Sequence, residues 1–208
     1  MSDRKSYNQI CPVTTALDYV GDRWTILIIR ELLGGAARFN EIRDGLPGIA
    51  SNLLTERLRR LEEDGLVRQI KTHNTVMYAL TESGEDIRTT LEELGMWGAR
   101  MARVAPALYG RSIRAIAMAL QSIVVRAGDL LPVERIVIEL NVDGEFVEVV
   151  LSQAPTVTVR PPGISDASIQ TTHTNISAVL IGQKLDDPPF THMAGDESAT
   201  QLLYNILT

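Results

Sequence analysis

The hydrophobic pattern changes character along the chain. Up to about residue 103, apolar positions recur at helical spacing; after about residue 132, Val, Ile and Thr cluster in short alternating runs that favour strands. Pro12, tolerated at a first helical position, opens a predicted helix running from Cys11-Pro12 to about Val20. Asp22 is the expected cap of a second, Arg23 to Leu33, ended by Gly34-Gly35. Ala37-Arg38-Phe39 reads as a short extended piece, Asn40 to Leu46 as a short helix closed by Pro47-Gly48, and Ser51 to Asp64 as a longer helix stopped by Gly65. Val67 to Lys71 and Val76 to Leu80 read as strands around the polar tip Thr72-His73-Asn74-Thr75. Thr81 to Arg103 reads as mostly one long helix, with Ser83 as its cap. Helix, helix, short strand, helix, turn, helix, hairpin, helix is the order of a winged helix-turn-helix domain.

Beyond the change of character, Arg135 to Leu140 and Glu145 to Leu151 form a predicted hairpin around Asp143-Gly144. Val157 to Arg160 and Ser168 to Thr172 are further strands, Asn175 to Ile181 a short helix ending at Gly182, and Ser198 to Leu207 a terminal helix. Phe190 to Met193 precedes Gly195-Asp196. The expected domains are therefore residues 1–103 and 104–208 of an α+β protein.

Composition narrows the classes. The chain has 208 residues, 45% hydrophobic and 22% charged, with one cysteine. That is ordinary for a globular protein and excludes collagen-like, disordered and disulfide-scaffold chains. A single cysteine forms no internal disulfide, which fits a reducing compartment. No apolar run reaches about 18 residues, and MSDRKSYNQI lacks the apolar core of a signal peptide. A cytoplasmic protein with no membrane partner is the expectation. The net charge of −6 argues against a basic nucleic-acid footprint, but it is unevenly spread. Residues 1–103 carry 14 Lys/Arg and 15 Asp/Glu, a net of −1; residues 104–208 carry 6 and 11, a net of −5. The first half has room for a local basic face.

Motifs in the first half go beyond pattern. Cys11-Pro12, Gly21-Asp22-Arg23-Trp24-Thr25-Ile26-Leu27-Ile28 and Arg38-Phe39-Asn40-Glu41-Ile42 closely resemble the HxlR-type bacterial transcription regulators. So do Leu54-Thr55-Glu56-Arg57-Leu58, Leu61-Glu62-Glu63-Asp64-Gly65-Leu66-Val67 and Tyr78-Ala79-Leu80-Thr81, so that the resemblance covers about residues 8–103. It implies a homodimeric winged-helix module on double-stranded DNA, with dimer contacts from the first and last helices. One departure is Met77, where the family usually has an acidic residue before the wing tyrosine. The second half, about residues 110–208, is similar to sterol-carrier-protein-2-like domains. That likeness rests on the strand order, the helix ending in Gly182-Gln183-Lys184, and Gly195-Asp196 before an apolar helix. It implies an α/β sandwich with an antiparallel sheet covered by helices, around an apolar cavity for a lipid, acyl chain or other apolar molecule.

On the helix from Ser51 to Asp64, Ala50, Leu54, Leu58 and Leu61 fall on one stripe, the expected core face. Asn52, Thr55, Glu56 and Arg59 lie opposite, where a recognition helix reads base edges. Asn suits adenine and Arg suits guanine; Ser51 and Thr55 suit base or phosphate contacts. Glu56 accepts from cytosine or repels phosphate, and its role stays open. Arg57 either reaches a phosphate or pairs with a neighbouring acid. Arg38 before the helix pair, Arg68 entering the wing, and Lys71, His73 and Asn74 on it fit phosphate contacts or minor-groove insertion.

Other chemistry is sparse. His73, His173 and His192 have no metal-ligand spacing, and no HExxH, CxxC, GxSxG, Walker or GxGxxG motif occurs, so no catalytic, metal or cofactor site is expected. Asp186-Asp187 and Asp196-Glu197 read as caps and solvated turns. Cys11 at a helix start is either a lowered-pKa sensor thiol or a small buried hydrophobe at a dimer interface. For the apolar ligand, Ile136, Ile138 and Leu140 share one strand face, as do Val147, Val149 and Leu151. Met118, Ile123, Ile176, Val179, Leu180, Phe190 and Met193 are helix and loop contributors, and plain core residues are the competing reading for all of them. The sequence reads as a repressor with a ligand-sensing second domain. The rivals are a thiol-sensing regulator with a structural second domain, and a lipid carrier whose winged helix is an interaction module.

Overall fold

The computed structural model describes residues 6–72, 75–101, 112–183 and 189–207, which divide into two compact units, Met1–Ile87 and Arg88–Thr208.

The first unit begins with α1 (Pro12–Val20), α2 (Thr25–Leu33) and the short strand β1 (Ala37–Arg38). Then come α3 (Phe39–Asp44), α4 (Ser51–Glu63), β2 (Val67–Thr72), β3 (Thr75–Leu80) and α5 (Glu82–Glu85). The order β1-β3-β2 places β3 in the centre of an antiparallel sheet. Ile28, Ile29 and Leu32 of α2, Ile42 of α3, and Leu54, Leu58 and Leu61 of α4 are fully buried, so the helix-turn-helix pair packs on α2 by the apolar stripe its sequence carries. Ala50 is exposed and Ile49 is buried instead, because the helix starts at Ser51 and Ala50 lies in the extended approach to it. Gly65, at φ +72°, ends α4. Its N–H donates to the Glu62 carbonyl and the Leu66 N–H to the Leu61 carbonyl, the paired bonds of a left-handed helix stop.

The single helix expected from Thr81 to Arg103 is two. Thr81, not Ser83, caps α5: its hydroxyl accepts the Gly84 N–H at 3.1 Å and donates to the Gly65 carbonyl at 2.6 Å. A Cβ on Gly84 would stand 2.1 Å from the Leu66 carbonyl oxygen, so a bare backbone is needed at that approach. The chain turns at Asp86-Ile87 and α6 (Arg88–Met101) belongs to the second unit; residues 102 and 103 lie outside the described part.

After α6, the second unit holds α7 (Ile113–Arg126), β4 (Ile136–Val142), β5 (Glu145–Leu151), β6 (Thr156–Val159) and β7 (Ala167–Thr171). It ends with α8 (His173–Leu180), β8 (His192–Gly195) and α9 (Glu197–Leu207). The expected antiparallel sheet is mixed. The strand order is β6-β5-β4-β7-β8, and β7 runs parallel to β4. The reason is the segment after β6, which returns across two strands and enters β7 beside β4. Asp166 pins that entry, its N–H donating to the Val137 carbonyl (2.8 Å) and its carboxylate accepting the Val137 N–H (2.7 Å). The helix α7, not anticipated as an element, packs on β5 and β6 through Ile113, Ile116, Ala117, Leu120 and Val124. Its buried Gln121 amide bonds the backbone at Pro155 and Val157, satisfying both ends of the group.

Candidate nucleic-acid interface

Polar side chains reach the surface of α4 where the sequence places them. Ser51, Asn52, Thr55, Glu56 and Arg59 are exposed while Leu54, Leu58 and Leu61 face the core. Three are engaged within the helix: the Thr55 hydroxyl donates to the Ser51 carbonyl at 2.9 Å, Glu56 pairs with Arg57, and Arg59 pairs with Glu63 one turn on. Exposed pairs of the latter kind are worth only about 0.3–0.5 kcal/mol, so Arg59 is easily drawn to another acceptor.

Arg57 pairs with two neighbouring acids. Its Nε lies 3.1 Å from Asp22 Oδ1 and its Nη1 2.7 Å from Glu56 Oε1. Asp22 also accepts the Trp24 and Thr25 N–H groups at 3.0 and 3.2 Å, and the Thr25 hydroxyl. Burial pushes the Asp22 carboxyl upward. The Thr25 hydroxyl, the two amides and Arg57 outweigh it and hold the carboxyl below its ordinary value. Burial likewise lowers Arg57, and its bond to Asp22 reverses that. Residue 22 thus caps the entry to α2 and ties it to the helix 35 positions further on. The cap was legible in the sequence. The tie was not, because nothing in a spacing of 35 says which arginine returns.

The wing is β2 and β3, whose register runs from Val67 opposite Leu80 to Thr72 opposite Thr75. Arg68 and Lys71 are exposed on β2, while His73 and Asn74 lie outside the described residues. Arg38 is exposed at the head of α3, its N–H donating to Glu41 Oε2 at 2.7 Å, and pairs across the sheet with Met77. Tyr78, between Ala37 and Gln69, has its hydroxyl pKa raised by burial and by the Glu62 charge.

The thiol of Cys11 sits at the start of α1, half-buried. Bonds from the Thr14 and Val13 amides lower its pKa against a smaller effect of burial. In the second unit, Ile138, Leu140, Val147, Val149, Leu151, Ile176, Val179 and Phe190 belong to one buried core. Ile123, Ile136 and Leu180 pack at its edge and Met118 is half-buried. Met193 is 53% exposed on the edge strand β8, outside that core. Among the described residues no cluster of three metal-ligating side chains occurs, and no helix is long and apolar enough to cross a membrane.

A helix pair with a buried apolar stripe, a polar face on its second helix and a two-stranded wing defines a DNA-binding transcriptional regulator. The description HxlR-like helix-turn-helix matches residues 19–105. The chain is 38% identical over 94 residues to the HTH-type transcriptional regulator YodB of Bacillus subtilis, covering 43% of this chain and 84% of that protein. It is 35% identical over 104 residues to the uncharacterized HTH-type transcriptional regulator YybR of the same organism, covering 47% and 83%. For YvaP, another uncharacterized HTH-type regulator of B. subtilis, the identity is 35% over 94 residues, covering 43% and 87%. The chain belongs to the HxlR family of DNA-binding transcriptional regulators, and these relatives are regulators, not enzymes.

Proposed function

We propose that the protein is a cytoplasmic repressor that binds a pseudo-palindromic operator as a homodimer. Its second unit, of the sterol-carrier-protein-2-like kind, would sense an apolar or acyl molecule. The observation that carries the DNA part is the exposed face of α4, with Ser51, Asn52, Thr55 and Arg59 outward over three buried leucines. Asn52 and Arg59 read bases; Arg38, Arg68 and Lys71 position the backbone, and His73 and Asn74 extend the wing's contact. Two apolar stripes support dimerisation: Val13 and Leu17 on α1, and Leu94, Trp97 and Met101 on α6, all exposed at helical spacing. The domain boundary at residue 103 is kept as a functional one, because the family match runs through α6.

Selection from a random DNA library, followed by titration of the selected site, tests the reading. Each of Asn52→Ala and Arg59→Ala should cost about 1–3 kcal/mol on the selected site and far less on unrelated DNA. Equal losses on both DNAs, or none, would remove α4 as the reading helix. Native mass spectrometry tests the rest: a dimer carrying mass lost on denaturation supports an occupied second unit, and a monomer refutes the stripes as an interface. A second reading, thiol sensing at Cys11, is favoured by the lowered thiol pKa. Cys11→Ser would then abolish an oxidant response of DNA binding that otherwise survives.

A further inference from the structure

The first unit holds a cleft of about 590 Å³, within the ~300–1,000 Å³ range of small-molecule sites. Its walls are the N-terminal arm, the last turn of α1, the Asp22 turn and the Glu56–Arg60 stretch of α4. The arm is held by Asp18, whose Oδ2 accepts the Ser6 hydroxyl at 2.8 Å and whose Oδ1 accepts the Tyr7 N–H at 3.0 Å. Tyr7 and Tyr19 give the cleft exposed rings. Three carboxylates, Asp18, Asp22 and Glu56, line it against two guanidinium groups, Arg57 and Arg60. Arg57 bridges two of those carboxylates, so a planar nitrogen cation is the chemistry this wall already holds.

We propose that this cleft binds a flat organic cation, such as an aryl amidine, guanidine or amine, with its charge on Glu56 and Asp22 in place of Arg57 and its ring against Tyr7 and Tyr19. Rings of this type attract cations through their negative faces. The ligand competes with Arg57 for the same oxygens. Asp22 belongs to the entry of α2 and Arg57 to α4, so the exchange unties the reading helix from α2. That consequence for DNA rests on the function proposed above; cation binding does not.

The test is calorimetric titration of the full chain, without DNA, with benzamidine, benzamide and benzoate, three probes sharing a ring and differing in charge. Benzamidine should bind at least about ten-fold more tightly than either other probe. Glu56→Gln and Tyr19→Ala should each weaken it by about five-fold, and Arg57→Gln, by removing the competitor, should strengthen it by a similar factor. Glu56 is half exposed, so its amide variant reports binding, not folding. Equal binding of the three probes, indifference to the variants, or weaker binding by Arg57→Gln would overturn the proposal. If DNA selection returns no preferred site, the reading of α4 falls while the titration still decides the cleft.

Discussion

Replacing Asp22 by Ala removes one side chain from two places at once. At the entry to α2 it deletes the acceptor of two backbone N–H groups and of the Thr25 hydroxyl. Loss of such a cap costs about 1 kcal/mol, within a range of about 0.5–2. On α4 it strands Arg57, whose side chain is 17% exposed against 35% for Asp22. A buried pair broken on one side costs about 3–5 kcal/mol and an exposed one about 0–1. The partial exposure of Asp22 and the remaining contact to Glu56 put this pair nearer the lower figure, at about 1–2 kcal/mol. The sum is about 2–3 kcal/mol, equivalent to a fall in melting temperature of roughly 10–20 °C for a unit of this size. Asp22→Asn keeps an acceptor for the amides and should lose about half as much. The chain has two tryptophans, so a Trp97→Phe background leaves Trp24 as the fluorescent reporter of the first unit. Denaturant titrations across pH supply the sign. The Asp22 carboxyl is held below its ordinary value. Its contribution is therefore complete above the unfolded-state value of about 3.9 and disappears as pH falls through the lower folded value. The gap between wild type and Asp22→Asn should be constant from pH 5 to 7 and close only in acid. Equal stability at pH 7, or a gap that closes near neutrality, would refute the assigned role.

Three further outcomes follow from single groups. Lys71→Ala on the exposed wing strand should weaken binding to all DNA alike and reduce the salt slope by about 1; a sequence-selective loss would mean that Lys71 reads bases. Glu92 is 7% exposed, its Oε1 has no hydrogen-bond partner among the described residues, and burial raises its pKa. Its ionisation costs stability as pH rises, so Glu92→Gln should stabilise by about 1 kcal/mol at pH 7, with the gain gone below about pH 4; a loss at pH 7 would show that the carboxylate is needed. Alkylation of Cys11 by iodoacetamide should have its pH midpoint below the free-thiol value of about 8.5, and a midpoint above it would show that burial governs the thiol.

Local rules in the sequence determined most of the first unit. The spacing of Leu54, Leu58 and Leu61 set which side of α4 is buried, and therefore which side carries Asn52 and Arg59. Gly65 marked the end of that helix because only a left-handed residue closes it in this way. These features depend on neighbours within a turn or two. Tertiary structure decided what depends on chain return. Alternation identified β4 and β7 as strands but carries no direction, so the parallel pairing emerged only from the path after β6 and the anchor at Asp166. The break between α5 and α6 was not legible either, and the Leu66 carbonyl that closes on Gly84 of α5 comes from the residue before β2, on the other side of the wing hairpin. Ile138 and Val149 were legible as inward-facing, but whether an inward face lines a cavity or packs solid depends on the helices laid over it. The same holds for Arg57: one residue type serves for a phosphate and for a carboxylate, and only the fold brought Asp22 within 3.1 Å of it.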